Sequence, residues 1–253
     1  MNALQATHFY RYQTCEHLDR LERILFQNEL YFPTAAQLND PADCRPRIKY
    51  PRFFGTLRFL MRTWRRAHPD ARLRDVVKEY PRAIGGLNRF GMKRMHQEMT
   101  KALHSLSEKT RVLSMSKRWD NMNLWAKYAD NHTGYCLEFA NTGIFTKALE
   151  VEYGDVFELD VTALTAARDA FPLFVRKKKA DWSNEDEIRL VGPTLAEPRV
   201  RIEPAWLTRI ILGKDMRPEH RDLIRRWAGS RNPPLPAVQA EYDAVEQILK
   251  LVR

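Results

Sequence analysis

The order of hydrophobic periodicities predicts an α+β protein: a mixed or antiparallel sheet core flanked by helices, interrupted by a basic and mostly helical insertion. Three observations carry this expectation. Segments with two-residue alternation are mixed with segments of helical spacing in no regular βαβ rhythm, which argues against a doubly wound sheet. Positive charge is concentrated, with 17 Lys or Arg against 5 Asp or Glu between Arg45 and Lys109, a net of +12 in a chain whose total is +10, so the remainder sums to −2. The stretch Arg111 to Phe139, RVLSMSKRWDNMNLWAKYADNHTGYCLEF, reads as strand, polar turn, amphipathic helix and strand, the kind of unit found at a domain centre.

Taken in order, HFYRYQ alternates as a short strand in which Tyr10 and Tyr12 face away from Arg11. Thr14 stands as the N-cap of a helix whose buried stripe is Leu18, Leu21, Ile24 and Leu25, ending near Asn28. A second strand follows at Leu30-Tyr31-Phe32, then the turn Asn39-Asp40-Pro41, with Asp43 close behind. The insertion, residues 45–110, holds two helical patterns, 57–80 and 86–106, separated by Pro81 and Gly85-Gly86. In the central unit Val112, Leu113 and Met115 mark a strand, Asp120-Asn121 the turn, Leu124, Trp125 and Tyr128 the helix, and Tyr135 to Phe139 the second strand. Beyond it a strand is expected at Leu149 to Tyr153 and a helix at Val161 to Lys179 with a basic end. The sequence DWSNEDEIRLV would form a strand with Glu185, Glu187 and Arg189 on one face and Ile188 and Leu190 on the other. Leu207 to Leu212 is a further strand, Pro218 to Trp227 a helix capped by Gly229, and Ala237 to Tyr242 the last strand.

The 253 residues, 44% of them hydrophobic, suit a single domain. No apolar run approaches the roughly 20 residues that span a bilayer, and the first residues do not pattern as a signal peptide, so a cytoplasmic protein without membrane attachment is expected. Cys15, Cys44 and Cys136 are too few and too widely spaced for a disulfide framework or a zinc knuckle. Phosphate-binding, HExxH and GxSxG motifs are missing, and the seven histidines are scattered.

What is left is a set of candidate residues. The basic insertion could follow a phosphate backbone, with Trp64, Phe90 and His96 for stacking, or could simply be a solvated surface. Glu185 and Glu187, about 7 Å apart on one strand face by the strand rise, would repel unless a cation such as Arg189, a proton or a ligand hydroxyl stands between them. A carboxylate site for Mg²⁺ built from Asp40, Asp43, Glu138, Glu185 and Glu187 would suit a nuclease. The Trp, Tyr, His, Asn and Ser residues of the central unit fit either a ligand pocket or an ordinary core.

The segments FYRYQT, QNELYF, LNDPADC, the central unit, DWSNEDEIRL and RIILG, in that order, resemble the bacterial domain-of-unknown-function family numbered 2971 over nearly the whole chain apart from the insertion. The chain also resembles, less closely, the ADP-ribosyltransferase superfamily. Its members open with a strand bearing His or Arg, continue with a helix and a Tyr- or Ser-containing strand, and end on a strand with a catalytic Glu.

That second resemblance implies NAD as substrate, with Glu185 and Glu187 as the catalytic pair. Arg11 would hold the ribose or pyrophosphate, and Tyr12 would lie beside it. Tyr31 would stack on nicotinamide, or Ser114 and Ser116 would supply the second motif. Trp125, Tyr128 and His132 would wall the pocket, and Asn39, Asp40, Asp120, Asn121 and Arg189 would shape the acceptor side. It implies a transferase or NAD glycohydrolase, a class that includes bacterial toxins and antiphage effectors, acting on a nucleic acid or an acidic acceptor presented by the insertion. The alternatives are a non-catalytic module that binds nucleic acid or regulates a neighbouring protein, and the Mg²⁺-dependent nuclease.

Overall fold

The computed structural model describes residues 6–40, 43–45, 47–50, 89–155, 158–160, 175–192 and 196–252, with isolated positions between 55 and 70. The chain opens with β1 (His8–Gln13) and helix α1 (Leu18–Glu22), which widens into a π-helical turn, Arg23–Gln27, and stops at Asn28 with φ +54°. Strands β2 (Glu29–Tyr31) and β3 (Arg47–Lys49) precede the long helix α2 (Arg89–Lys109). The central unit is β4 (Val112–Ser116), α3 (Met122–Tyr128) and β5 (Tyr135–Ala140). Short strands follow: β6 (Leu149–Glu150), β7 (Glu152–Gly154), β8 (Glu158–Asp160) and β9 (Lys177–Lys179). The chain then forms β10 (Glu187–Val191), β11 (Arg199–Arg201), β12 (Leu207–Leu212), helix α4 (Pro218–Ser230), β13 (Ala237–Asp243) and β14 (Ile248–Val252).

Eight strands make one mixed sheet in the order β14-β13-β12-β5-β1-β4-β10-β6. Only β12 and β13 run parallel within it. The expected α+β architecture is therefore the observed one. Alternation along the strands, interrupted in β12 by a bulge between Leu207 and Arg209, sorts the side chains between its faces. Phe9, Leu113, Met115, Leu137, Phe139, Ile188, Leu190, Ile210 and Leu212 share one face, packed under Leu21, Ile24 and Leu25 of the first helical segment and Ile224 and Ala228 of α4. On the other face Tyr12, Cys136 and Ile211 meet Leu124 and Trp125 of α3. Beside that second apolar patch, also on the second face, β4 and β10 present polar side chains instead, and the site is built there.

The central unit forms as its sequence reads. Asn121 is the N-cap of α3, its side chain accepting from the backbone N–H groups of Asn123 and Leu124. Gly134 then admits the chain to β5 at a place where any Cβ would stand 2.1 Å from the Gln13 carbonyl oxygen.

Several expectations need correction. Glu185 is not on the strand. It closes a turn, Ala180–Glu185, and Asp186 at φ +45° separates it from β10. The expected helix 161–179 lies outside the described residues up to 174, and Lys177–Lys179 is a strand paired in parallel with β7. Helix α4 runs through Gly229 to Ser230 and is capped by Arg231. Strand β14, unforeseen, pairs with β13 because Asp243 turns the chain by accepting from the N–H groups of Val245 and Glu246. Of the insertion, α2 matches the second helical pattern, while most of the first, with Trp64 and the Phe90 side chain, lies outside the described residues. His96 is engaged already, stacked at 3.9 Å on Tyr50. No helix among the described residues is long and apolar enough to cross a membrane.

Replacing Gly134 with Ala should lower stability by about 2–3 kcal/mol, because the neighbours that a Cβ meets are backbone atoms of β1 and α3 that cannot rotate away. Urea unfolding of the variant, with an unchanged m-value, checks this.

Candidate functional site

Two inward residues of β10, Glu187 and Arg189, lie across from Ser116 and Ser114 of β4. Arg189 is fully buried, an arrangement that requires its charge to be matched on all sides. It donates through Nε and Nη2 to the two oxygens of Glu187 at 2.7 and 3.0 Å. Through Nη1 and Nη2 it donates to the two oxygens of Asp43 at 2.8 and 2.6 Å, and Nη1 also reaches the Val175 carbonyl at 3.0 Å. Both carboxylates are thus gripped in the forked geometry that only guanidinium offers.

Lys178, also buried, extends the cluster by donating to Glu187 at 2.8 Å and to Glu185 at 2.6 Å. The sequence pattern calls for a cation such as Arg189, a proton or a ligand hydroxyl near the two glutamates. The structure supplies Lys178, with Arg189 on the far side of Glu187 only. Burial alone would push the Glu187 carboxyl up, but Arg189 and Lys178 override it and hold the group at about 2. Burial likewise acts to lower Lys178, and the carboxylates of Glu187 and Glu185 reverse that into a net rise.

Glu185 is held differently. Its Oε1 accepts from the Tyr128 hydroxyl at 2.8 Å and from Lys127 at 3.1 Å, and Lys127 is a third exposed. Ser116 fixes the adjacent backbone by donating to the Glu185 carbonyl at 2.9 Å. Asn39, Asp40, Asp43 and Cys44 close the wall from outside. Asn39 donates to the Tyr128 hydroxyl at 3.3 Å, Trp182 Nε1 donates to Asp40 at 3.1 Å, and Asp43 takes Arg189. Cys44 adopts φ +56°, which lets its N–H turn back to Asp43, and burial pushes its thiol up to about 12.

A cleft of about 670 Å³ opens beside this cluster, lined among others by Arg11, Tyr12, Tyr31, Asn39, Ser114, Ser116, Tyr128, Lys178, Glu185 and Glu187. Its origin is a split in the sheet. Strand β1 is paired along its length with β5 but touches β4 through one pair, Tyr10 and Ser116. Across the gap Arg11 Nη1 donates to the Ser114 carbonyl at 3.0 Å, in place of a ladder bond. Strands β1, β4 and β10 are adjacent in the sheet, but Arg11 leaves β1 on the first face, with Phe9, whereas the two serines and Glu187 stand on the second, so the cleft reaches Arg11 only past the gap between β1 and β4.

No known family model, curated protein or solved structure matches this chain. The chemistry of the site therefore has to be read from its own geometry.

Four other candidates lie apart from the cleft wall. Trp125 is fully buried and donates from Nε1 to the Trp119 carbonyl at 2.7 Å, as a core residue does. His132 is not on α3, which ends at Tyr128; it sits at φ +68° in a turn and stacks on the far side of Trp125. Asp120 pairs with Arg118, and Asn121 caps α3 while donating to the Asn184 carbonyl at 2.6 Å. Tyr12, by contrast, is among the residues lining the cleft, and its hydroxyl donates to the Arg118 carbonyl at 2.8 Å. Among the described residues no three His, Cys, Asp or Glu are placed to hold a metal ion. Three contributors went unread in the sequence: Lys178, hidden in the run RKKK, and Lys127 and Trp182, which no local pattern distinguishes.

Two outcomes follow from the cluster. Since Glu187 is depressed in the fold from 4.5 to about 2, the stability it contributes is complete above its unfolded value and is lost as pH falls toward 2. Urea unfolding free energy should drop by about 2 kcal/mol from this group between pH 6 and pH 3, and Glu187→Gln should remove that part of the slope. Arg189→Leu, which leaves Asp43 and Glu187 without their main counter-ion, should cost about 3–5 kcal/mol in the same assay at pH 7.

Proposed function

We propose that the cleft binds NAD and that Glu185 acts on it as the carboxylate of an ADP-ribosyltransferase or NAD glycohydrolase. The observation that carries this reading is the contrast between the two glutamates. Glu187 spends both oxygens on Arg189 and Lys178, whereas Glu185, at the same wall, is held on one oxygen by a neutral hydroxyl and by a lysine at the rim. Only Glu185 can exchange a partner for a ligand hydroxyl without stranding a buried charge.

In this reaction the bond between the ribose C1′ and the nicotinamide nitrogen breaks, and its electron pair leaves with the ring, which becomes neutral. A lone pair of water or of an acceptor forms the new bond to C1′ and gives up its proton. Positive charge develops on the ribose, and a fixed carboxylate nearby stabilises it. Glu185 would take the ribose hydroxyl and face that charge. Tyr128 and Lys178 would orient it, Arg11 would meet the phosphates by charge-assisted hydrogen bonds, and Tyr31 offers an aromatic face at the cleft. The exposed Lys93, Arg94 and Lys101 of α2 agree with an acidic or nucleic-acid acceptor approaching the insertion.

A second reading, a non-catalytic binding or regulatory module, is favoured by one observation: every oxygen of Glu185 and Glu187 already has a partner within the chain.

The two are separated by incubating the protein with NAD and with RNA, DNA or lysate protein while following nicotinamide release. Glu185→Gln, whose carbonyl can still accept from Lys178 while its amide donates to the Tyr128 hydroxyl, should keep the fold by circular dichroism and lower release by at least about 100-fold. Release that is absent from the wild type with every acceptor, or equal in the variant, would overturn the enzymatic reading.

A further inference from the structure

Lys127 does more than neutralise Glu185. Its ammonium lies 3.3 Å from the centroid of the Trp182 ring and 4.9 Å from that of Tyr128, while donating to Glu185 at 3.1 Å. Two aromatic faces and a carboxylate around one positive charge form a cage for a cation. The cage is built from rigid parts. Trp182 is pinned through its indole N–H to Asp40, and Tyr128 through its hydroxyl between Asn39 and Glu185. Lys127 is the part at the rim: its side chain is 34% exposed, and four methylenes connect its ammonium to the last turn of α3.

Charge points the same way. Asp43, Glu185 and Glu187 carry three negative charges, and the buried Lys178 and Arg189 carry two positive ones, so this core is left at −1 until Lys127 enters. Lys178 also lies 5.0 Å from the Trp182 ring, but its ammonium is taken up by Glu185 and Glu187. Withdrawal of Lys127 would therefore expose an aromatic-lined pocket with a deficit of one positive charge, which favours a cation over a neutral molecule of equal shape.

We infer that Trp182, Tyr128 and Glu185 form a recognition site for an organic monocation, a quaternary ammonium or N-alkylpyridinium group, and that Lys127 is a tethered plug which occupies it when no such ligand is bound. The site adjoins the cleft through Tyr128 and Glu185, so a ligand seated there releases Glu185 from Lys127. Because the plug is part of the chain, its effective concentration at the cage is set by the tether, and an external cation must outcompete it. Apparent affinity in the wild type is then reduced by the fraction of molecules in which the plug is out.

The site shares Glu185 with the proposed NAD chemistry but stands on its own geometry, and its test contains no NAD and no turnover. Tetramethylammonium and N-methylpyridinium are titrated calorimetrically into wild type, Lys127→Met and Lys127→Gln, with tert-butanol as the uncharged counterpart and thermal melting as the check of folding. Both variants alter one rim side chain and are expected to melt as the wild type does. The cations should bind both about tenfold more tightly than they bind wild type, tert-butanol should bind none of them, and adding Trp182→Leu to Lys127→Met should abolish the gain. Equal affinity of wild type and the Lys127 variants, binding of tert-butanol as tight as that of the cations, or no binding to folded Lys127→Met would each overturn the inference. If the cations bind as expected while nicotinamide release is never seen, the cage stands and the enzymatic reading falls.

Discussion

The fully buried guanidinium of Arg189 is the constraint to which the rest of the polar half of this protein answers. A charge removed from water must be matched at close range, and here the match comes from segments far apart in the chain: Glu187 on its own strand, Asp43 from a loop 146 residues earlier, and the Val175 carbonyl ahead of β9. Once Glu187 and Asp43 are drawn in, Lys178 follows as the cation that offsets their excess, and Glu185 as the carboxylate that offsets Lys178. A shell of alternating charges grows outward from one residue until it meets solvent at Lys127.

Such a cluster is a poor device for stability alone, since well-packed apolar residues of similar volume serve that end as well or better. Its advantage is directional. Forked hydrogen bonds fix Asp43 against β10 in a single arrangement, whereas apolar contacts would tolerate sliding. Placing that arrangement beside a sheet that has come apart between β1 and β4 gives a cleft with one apolar-backed wall and one charged wall, the combination expected of a ligand site.

Much of the fold was legible because it rests on local rules. The strands β1, β4, β5 and β12, the stripe of the first helix, its end near Asn28 and the turn at Asp120-Asn121 are each decided within a few residues. The site was legible only in part. Glu187, Arg189, Asp43, Tyr128 and the two serines could be singled out because their types are unusual for their surroundings. Their partners could not, because pairing depends on which strands become neighbours. The strand reading of Glu185 failed for a local reason, as Asp186 takes a left-handed conformation that breaks the two-residue period and turns the preceding side chain toward Tyr128. Lys178 was hidden because three lysines in a row look uniformly solvated, and only membership in a strand turns the middle one inward.

The wide separation of Asp43 and Arg189 along the chain also has a meaning for the birth of the molecule. Chains emerge from the ribosome N-terminus first, and domains fold as their parts become available. The loop that bears Asp43, the β1 strand with Arg11 and the α3 helix with Tyr128 are all synthesised before the residue that locks them together. Until β10 has emerged, Asp43 lacks its main counter-ion and Lys178 lacks Glu187. A product ending before that strand carries Tyr128, Lys178 and Glu185 but not the guanidinium around which they are ordered, so this wall of the cleft is completed only once β10 has been made.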